Sequence, residues 1–553
     1  MSTEDITKPK LDKRSYKVIE LPNKLRVFLI HDPEADKSAC ALDVGVGCAL
    51  DPKPLYGTAH FLEHMLFQGS KKYPKESEYM DHIKNNGGMC NAFTSLDNTN
   101  YHFNCSNEAF EESLDRISQF FISPNFSIES ADKEVKAVDS EYNMSLQTDA
   151  WHYFNLVQHL SEPESNLNRF NCGNVKTLQT DGMRDSLLKF HKTWYSANIM
   201  NLAVVSRHPI DKLEQWTTEK FSAIENFNVD IPNLNEVECY PKSRLGQLVK
   251  YVPVKDVNEL KMSWILPSFE KDIDSKPLDY FSHLFGHEGE NSLLSYLKEK
   301  GLALELSAGG DHELGGSFST FEIGITLSDK GLENYYDVVE AVFHYAHVLK
   351  SKGPQEWVYE EIRDLGNMNF EFQNKGDALR ECVGTAKRMK LYGSDQWKNY
   401  LREKYVVSKF DKEKIQGIIE QMCQTSNINI YLISKKVEEQ TTDKAPWYDT
   451  KFSKAPFDEV LLKKIQTPAC EFTSKKLDFP PPNTMIPKNF DILAEDANLS
   501  SKPAMIKQWE NTELWYKKDD KFQRPKSIVT MKIYTQNNDF SKTAEGRLFA
   551  NIW

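Results

Sequence analysis

One order of elements occurs twice in this chain, and that recurrence constrains the fold more than any single segment. Residues 25–30 (LRVFLI) and 39–47 (ACALDVGVG) predict strands. Gly57 to Gln68 predicts a helix with no proline inside, and 74–86 a second helix ended by Gly87-Gly88. Strands at 89–95 and 99–104 follow, joined by a turn at Leu96-Asp97-Asn98. An amphipathic helix over 107–122 puts Phe110, Leu114, Ile117 and Phe121 on one stripe, and another helix runs from Ala131 to about Leu146. About 220 residues downstream the order returns more weakly. Strands at 248–253 and 260–266 precede a helical region at 277–300, strand-like stretches at 303–308 and 316–327, and a helix at 331–350. A repeat this long is a duplicated domain, not a solenoid unit. The expected fold class is α+β. Two homologous α/β domains, 16–235 and 240–470, each carry helices on a mostly antiparallel sheet. Pro480-Pro481-Pro482 and the polar stretch to about Lys507 predict an extended linker within 471–520. Residues 521–553 then predict the start of a truncated third domain, with a strand at 527–535 and a helix from near Ser541.

The 553 residues allow about three or four domains, or two large ones. Sixty-eight basic against 81 acidic residues leave a net charge of −13, which argues against a general nucleic-acid binder. No apolar run of about 18 residues predicts a membrane span, and the charged N-terminus lacks a signal-peptide core. Nine cysteines, an odd number with no C-x-x-C pair, favour a reducing compartment, so a cytoplasmic location is expected.

The strongest chemical signal is His60-Phe61-Leu62-Glu63-His64. On a helix, positions i and i+4 lie about 40° apart around the axis, so both imidazoles leave one face. Glu63, about 100° from His64 and about 60° from His60, borders that face. Two neutral imidazoles suit zinc, and the adjoining carboxylate suits proton transfer. The spacing is H-x-x-E-H, the reverse of H-E-x-x-H. A catalytic zinc needs a third protein ligand and a position for water. On the helix from Ala131, Glu134 and Glu141 lie within about 20° of each other, at the edge of the apolar face of Val135, Val138, Tyr142 and Leu146. Burying two carboxylates uncompensated is costly, so a cation should meet them. The spacing leaves open which of the two would bind it.

Taken alone, the two glutamates are an ordinary solvated helix edge; the histidines make them a candidate site. A rival pair, His283 and His287 beside Glu288, is interrupted by Gly286 and Gly289 and has no acidic-edged helix after it. His152, His159, His344 and His347 read as structural, and the cysteines as buried thiols. No phosphate-binding loop occurs.

At HFLEHMLFQGSKKYPKESEY, NAFTSLDNTNYHF and EVKAVDSEYN the pattern becomes specific. The chain resembles the pitrilysin family of inverted-motif zinc peptidases, in its insulysin-like branch. The likeness runs from about Tyr16 to the chain end, including WYKKDDKF at 515–522. It implies two pitrilysin-type domains. It also implies one Zn²⁺ per chain on His60, His64 and Glu141, with Glu63 as general base and Glu134 as a supporting acid. By the same resemblance, Asn91 and Ala92 pair with the substrate backbone, and Phe67, Phe93 and Trp151 line the site or its neighbourhood. Gly286 and Glu288, with Ser307, Ala308 and Gly309, match an exosite that holds a substrate's N-terminus. The family has a proline and a glycine where Glu290 and Asn291 stand. Family members close two homologous halves into a chamber. This chain is expected to hold the first half and the beginning of the second, without the arginine and tyrosine that the second brings near the zinc. The implied function is a zinc-dependent endopeptidase unit acting on short or unfolded peptides. A second chain, or a second copy of this one, would replace the missing half. The alternative is a peptide-binding or regulatory half-enzyme with little turnover.

Overall fold

The computed structural model describes every residue except 1, 4–5, 394–395, 469–476, 493–501, 519–523, 534–541 and 544–553. Met1–Thr484 is one compact unit and Met485–Trp553 another.

Seven strands of the first unit, β1 (Ser2–Thr3), β2 (Ser15–Glu20), β3 (Arg26–His31), β4 (Lys37–Val44), β5 (Met89–Thr94), β6 (Thr99–Ser106) and β7 (Met200–Ser206), form one sheet. Its order is β1-β2-β3-β7-β4-β6-β5. Seven more, β8 (Gln247–Tyr251), β9 (Asn258–Leu266), β10 (Ala303–Glu313), β11 (Phe318–Leu327), β12 (Ile428–Ser434), β13 (Asp443–Lys444) and β14 (Lys451–Pro456), form a second. Its order is β10-β11-β9-β12-β8-β14-β13. The run β3-β7-β4-β6-β5 in one sheet has its counterpart in β8-β12-β9-β11-β10 in the other. Each sheet has one parallel pair, β3 with β7 and β8 with β12, among antiparallel neighbours. The fold is therefore α+β, with the same antiparallel-dominated arrangement built twice.

The central strands explain why neither parallel pair shows in the hydrophobic alternation. All seven residues of β7 (MNLAVVS) are buried. Met200, Leu202 and Val204 enter one core, while Ala203 and Val205 enter another on the opposite face. In β12 (INIYLIS), Ile428, Ile430 and Leu432 face one core and Tyr431 and Ile433 a second. A strand covered on both faces reads as a continuous apolar run without a polar side.

Each sheet takes part of its cover from the other half. Helix Ala378–Arg388 lies late in the chain, yet its Leu379, Cys382 and Ala386 pack on the first sheet against Phe28, Ile30, Ala39, Ala41 and Val205. Conversely, helix Asp149–Leu160 lays Leu156 and Leu160 on Val249, Tyr251, Tyr431 and Ile433 of the second sheet. The alanines of β4 leave room for the helix to approach closely.

Several local expectations shift. The helical region at 277–300 is two helices, Pro277–Phe285 and Leu293–Glu299, broken at Gly286. The helix expected over 74–86 is Glu78–Asn85. In the second unit, β15 (Ala504–Trp509) and β16 (Thr512–Tyr516) form an antiparallel hairpin within the stretch read as linker. Residues 527–533 carry no strand, because a strand needs a ladder partner and none among the described residues pairs with them. Residues 534–535 and nearly all of the helix expected from Ser541 lie outside the described residues. No helix among the described residues is long and apolar enough to cross a membrane.

Candidate active site

Helix Thr58–Leu66 carries the histidine motif. Phe61, Leu62, Met65 and Leu66 anchor it in the core, which leaves the opposite face to His60 and His64. Its first turn is fastened by Asp51, whose carboxylate accepts from the Gly57 N–H at 2.7 Å and the Ala59 N–H at 2.8 Å. Burial pushes the Asp51 carboxyl up, to about 7, against these donors, which pull it down. Gly57 precedes the helix with φ +84°, and an added Cβ would sit 2.5 Å from the Cα of Gly173. This glycine–glycine contact brings the chain at 172–173 against the helix start.

The two imidazoles stand 4.9 Å apart, ring centre to ring centre. His60 Nδ1 is 2.6 Å from the Cys172 carbonyl, and His64 Nδ1 is 3.0 Å from Glu134 Oε2. Gln68 donates to the other oxygen of Glu134 at 2.9 Å. Both Nδ1 atoms are thus occupied by acceptors, an arrangement that directs the Nε2 atoms to the cleft. There they meet Glu141, whose Oε2 is 3.7 Å from His60 Nε2 and 3.5 Å from His64 Nε2. Glu134 and Glu141 both come from helix Ile128–Ser145. That helix is capped by the Ser127 hydroxyl and held down by Val135 and Val138.

Electrostatics follow the same geometry. Burial pulls the His64 imidazole down, but Glu134 and Glu141 outweigh it and hold it up, at about 9. The hydrogen bond from His64 lowers Glu141 against its partial burial. Glu63 is buried and therefore raised; His60 and the Thr94 hydroxyl, which donates to its Oε2 at 2.6 Å, moderate the rise.

Among the described residues, His60, His64 and Glu141 form the one cluster whose metal-ligating atoms all lie within 4.8 Å of one another. Tetrahedral zinc ligands at about 2.0–2.1 Å from the ion are about 3.3 Å apart. The two Nε2–carboxylate distances approach that value, so the donor set fits a zinc ion in both chemistry and spacing.

The cluster opens into a cleft of about 840 Å³. The cleft is lined by Phe67, Asn91, Ala92, Phe93 and Trp151, together with Thr94, Cys172 and Tyr448. Strand β5, which carries Asn91 and Ala92, is the edge of its sheet, with β6 as its one strand neighbour among the described residues. Gly286, Glu288, Ser307, Ala308 and Gly309 do not line this cleft. Gly286 caps helix Pro277–Phe285, Glu288 sits in the exposed turn after it, and 307–309 lie on β10, the edge of the second sheet. That helix follows β9 as the motif helix follows β4, and Gly286 stands between His283 and His287 where Glu63 stands between His60 and His64. His283 turns instead to Glu361, at 3.5 Å. His152 is buried between the Thr450 hydroxyl and the Leu146 carbonyl.

Sequence reasoning missed Thr94, Gln68, Cys172 and Tyr448. Thr94 was within reach, as the hydroxyl-bearing residue that ends Asn91-Ala92-Phe93-Thr94. Cys172 acts through its carbonyl and Tyr448 arrives from the second sheet, so no local pattern marks either.

Three family descriptions match successive parts of the chain. Residues 26–164 match insulinase (peptidase family M16), 183–365 the peptidase M16 inactive domain, and 370–553 the middle or third domain of peptidase M16. The chain is 37% identical over 537 residues to the A-factor-processing enzyme of Saccharomyces cerevisiae, and 37% over 536 to the insulin-degrading enzyme of Homo sapiens. The chain is an insulysin-like member of the pitrilysin family. The crystal structure of pitrilysin matches 94% of this chain with a TM-score of 0.85 at 26% identity, which puts the family's fold on nearly its whole length. The alignments cover 95% and 96% of this chain but 51% and 52% of the two relatives, and 55% of pitrilysin. The chain therefore spans about half the length of the family members it matches.

Proposed function

We propose that this chain is a zinc-dependent endopeptidase unit that hydrolyses extended peptides. The observation that carries the reading is the meeting of His60 Nε2, His64 Nε2 and Glu141 Oε2 beside Glu63, in a cleft bordered by an open strand edge. Membership in a peptidase family supports it. Zinc held by these three residues would supply Lewis acidity toward water and the scissile carbonyl. Glu63 takes the proton of the attacking water and returns it to the leaving amine. Thr94 occupies Glu63 Oε2, which leaves Oε1 for that proton. Glu134 and the Cys172 carbonyl hold the Nδ1 sides of the histidines, keeping both rings turned to the cleft. The edge of β5 at Asn91 and Ala92 accepts a peptide by strand addition, which selects flexible chains over folded ones. Gly286, Glu288 and Ser307–Gly309 form a separate exosite for a peptide's N-terminus.

Glu63→Gln keeps the ligand set and removes the base. It should retain zinc and lose hydrolysis of a quenched fluorescent peptide; hydrolysis at the wild-type rate would overturn the mechanism.

The alternative reading of the same cleft and strand edge is a peptide-binding or regulatory unit with little turnover. A zinc-loaded chain that binds peptide without chelator-sensitive cleavage would support that reading over the first.

A further inference from the structure

We propose that the tip of the β13–β14 hairpin, supplied by the second sheet, is a clamp that positions the metal-binding residues of the first, with Trp447 as its central positioning residue. This inference rests on the zinc reading of His60, His64 and Glu141.

The hairpin tip is the six residues between Lys444 and Lys451. It is closed by the Ala445 N–H donating to the Thr450 carbonyl at 2.9 Å. Trp447 has φ +74° and Asp449 φ +51°, left-handed backbone that bulky side chains seldom adopt and that persists only where surrounding contacts enforce it. Those contacts are with the supports of the metal site. The Trp447 indole stacks on Phe170, with ring centres 4.3 Å apart and planes 7° from parallel, and meets Tyr56 edge-on at 6.4 Å. Phe170 is two residues before Cys172, whose carbonyl holds His60 Nδ1. The Trp447 carbonyl accepts the Tyr142 hydroxyl. Tyr142 follows Glu141 directly.

One residue therefore touches both the segment that orients His60 and the helix turn that presents Glu141. Its neighbour adds to the same grip. The Tyr448 hydroxyl is 2.9 Å from Ser145 Oγ, its ring lies 5.7 Å from Tyr142, and it forms part of the cleft wall. Thr450 ties the tip to His152 at 2.8 Å.

The physical consequence is preorganisation. Glu141 is half exposed, and the buried residues of its helix, Ser130, Val135 and Val138, all precede it, so the turn that carries it has no core anchor of its own. A stacked indole and one hydrogen bond at the adjacent residue restrict that turn. Partners that orient ligands in this way commonly contribute 10–100-fold in metal affinity.

The test measures zinc affinity directly, by competition with a chromophoric chelator on the full chain, so it does not depend on turnover. Trp447→Ala should weaken zinc binding by about tenfold or more. Trp447→Phe, which keeps an aromatic ring for Phe170, should recover most of the loss. Tyr142→Phe deletes a single hydroxyl and leaves the ring packing; it should weaken zinc binding by a few-fold while melting in excess chelator stays at the wild-type temperature. Zinc affinities within twofold of wild type in both Trp447→Ala and Tyr142→Phe would overturn the clamp while leaving the metal site intact. A wild-type chain that failed to bind zinc would instead overturn the metal reading and the clamp with it. A chain that binds zinc without cleaving peptides still tests the clamp in full.

Discussion

Glu63 is buried, and the Thr94 hydroxyl is the donor it meets. A hydrogen bond to a charged group contributes about 1.5–3 kcal/mol, which corresponds to roughly a tenfold to hundredfold change in rate if it is needed in the transition state. Thr94→Val preserves shape and deletes the donor. It should lower kcat by that range with little change in KM, whereas Thr94→Ser should stay near wild type. Equal losses in the serine and valine variants would show that Thr94 contributes packing alone. At this scale the histidine pair was legible, because a spacing of four puts two side chains on one face of any helix. The division of labour between Glu134 and Glu141 was not. The wheel separates them by about 20°, but seven residues are about 10 Å of helix. That axial distance puts Glu134 at the Nδ1 side of His64 and Glu141 at the Nε2 atoms.

The motif helix depends on how closely another segment can approach the glycine that precedes it. Gly57 and Gly87 both have positive φ, but a Cβ at Gly57 meets Gly173 at 2.5 Å while one at Gly87 meets nothing within 4 Å. Gly87→Ala should cost about 1–2 kcal/mol, the strain of a Cβ in left-handed backbone. Gly57→Ala must also push back the backbone at 172–173, and should cost clearly more in chemical denaturation. Similar losses at the two positions would mean that the glycine contact is not what seats Cys172 beside His60. Helices with an apolar stripe and hairpins with a turn, such as the one at Leu96-Asp97-Asn98, were readable because their periods are local. β7 and β12 were not, since strands buried on both faces show no alternation.

The two sheets of Met1–Thr484 depend on each other for cover. A fragment ending at residue 240 retains His60, His64 and Glu141 but loses helix Ala378–Arg388, along with Tyr392, Trp397 and Tyr400. It uncovers Tyr16, Phe28, Ile30 and Val205, and its own helix Asp149–Leu160 loses its seat on the second sheet. Exposed apolar area of this kind drives association. The fragment should elute as oligomers and bind a hydrophobic dye, and residues 241–484 supplied in trans should reverse both. A monomeric fragment that unfolds cooperatively would contradict the mutual cover. What the sequence determined by itself was the α+β class, the doubled order of elements, and a helix presenting two imidazoles with a carboxylate beside them. Each of these follows from a period of two or 3.6 residues, or from a spacing inside one element. The tertiary structure alone decided that Glu141 faces both Nε2 atoms, that a carbonyl at residue 172 turns His60, that Trp447 reaches across from the second sheet, and that helices are exchanged between halves. Those contacts join residues tens to hundreds of positions apart. They are set by which surfaces meet when the two sheets dock, and no periodicity within the chain encodes that.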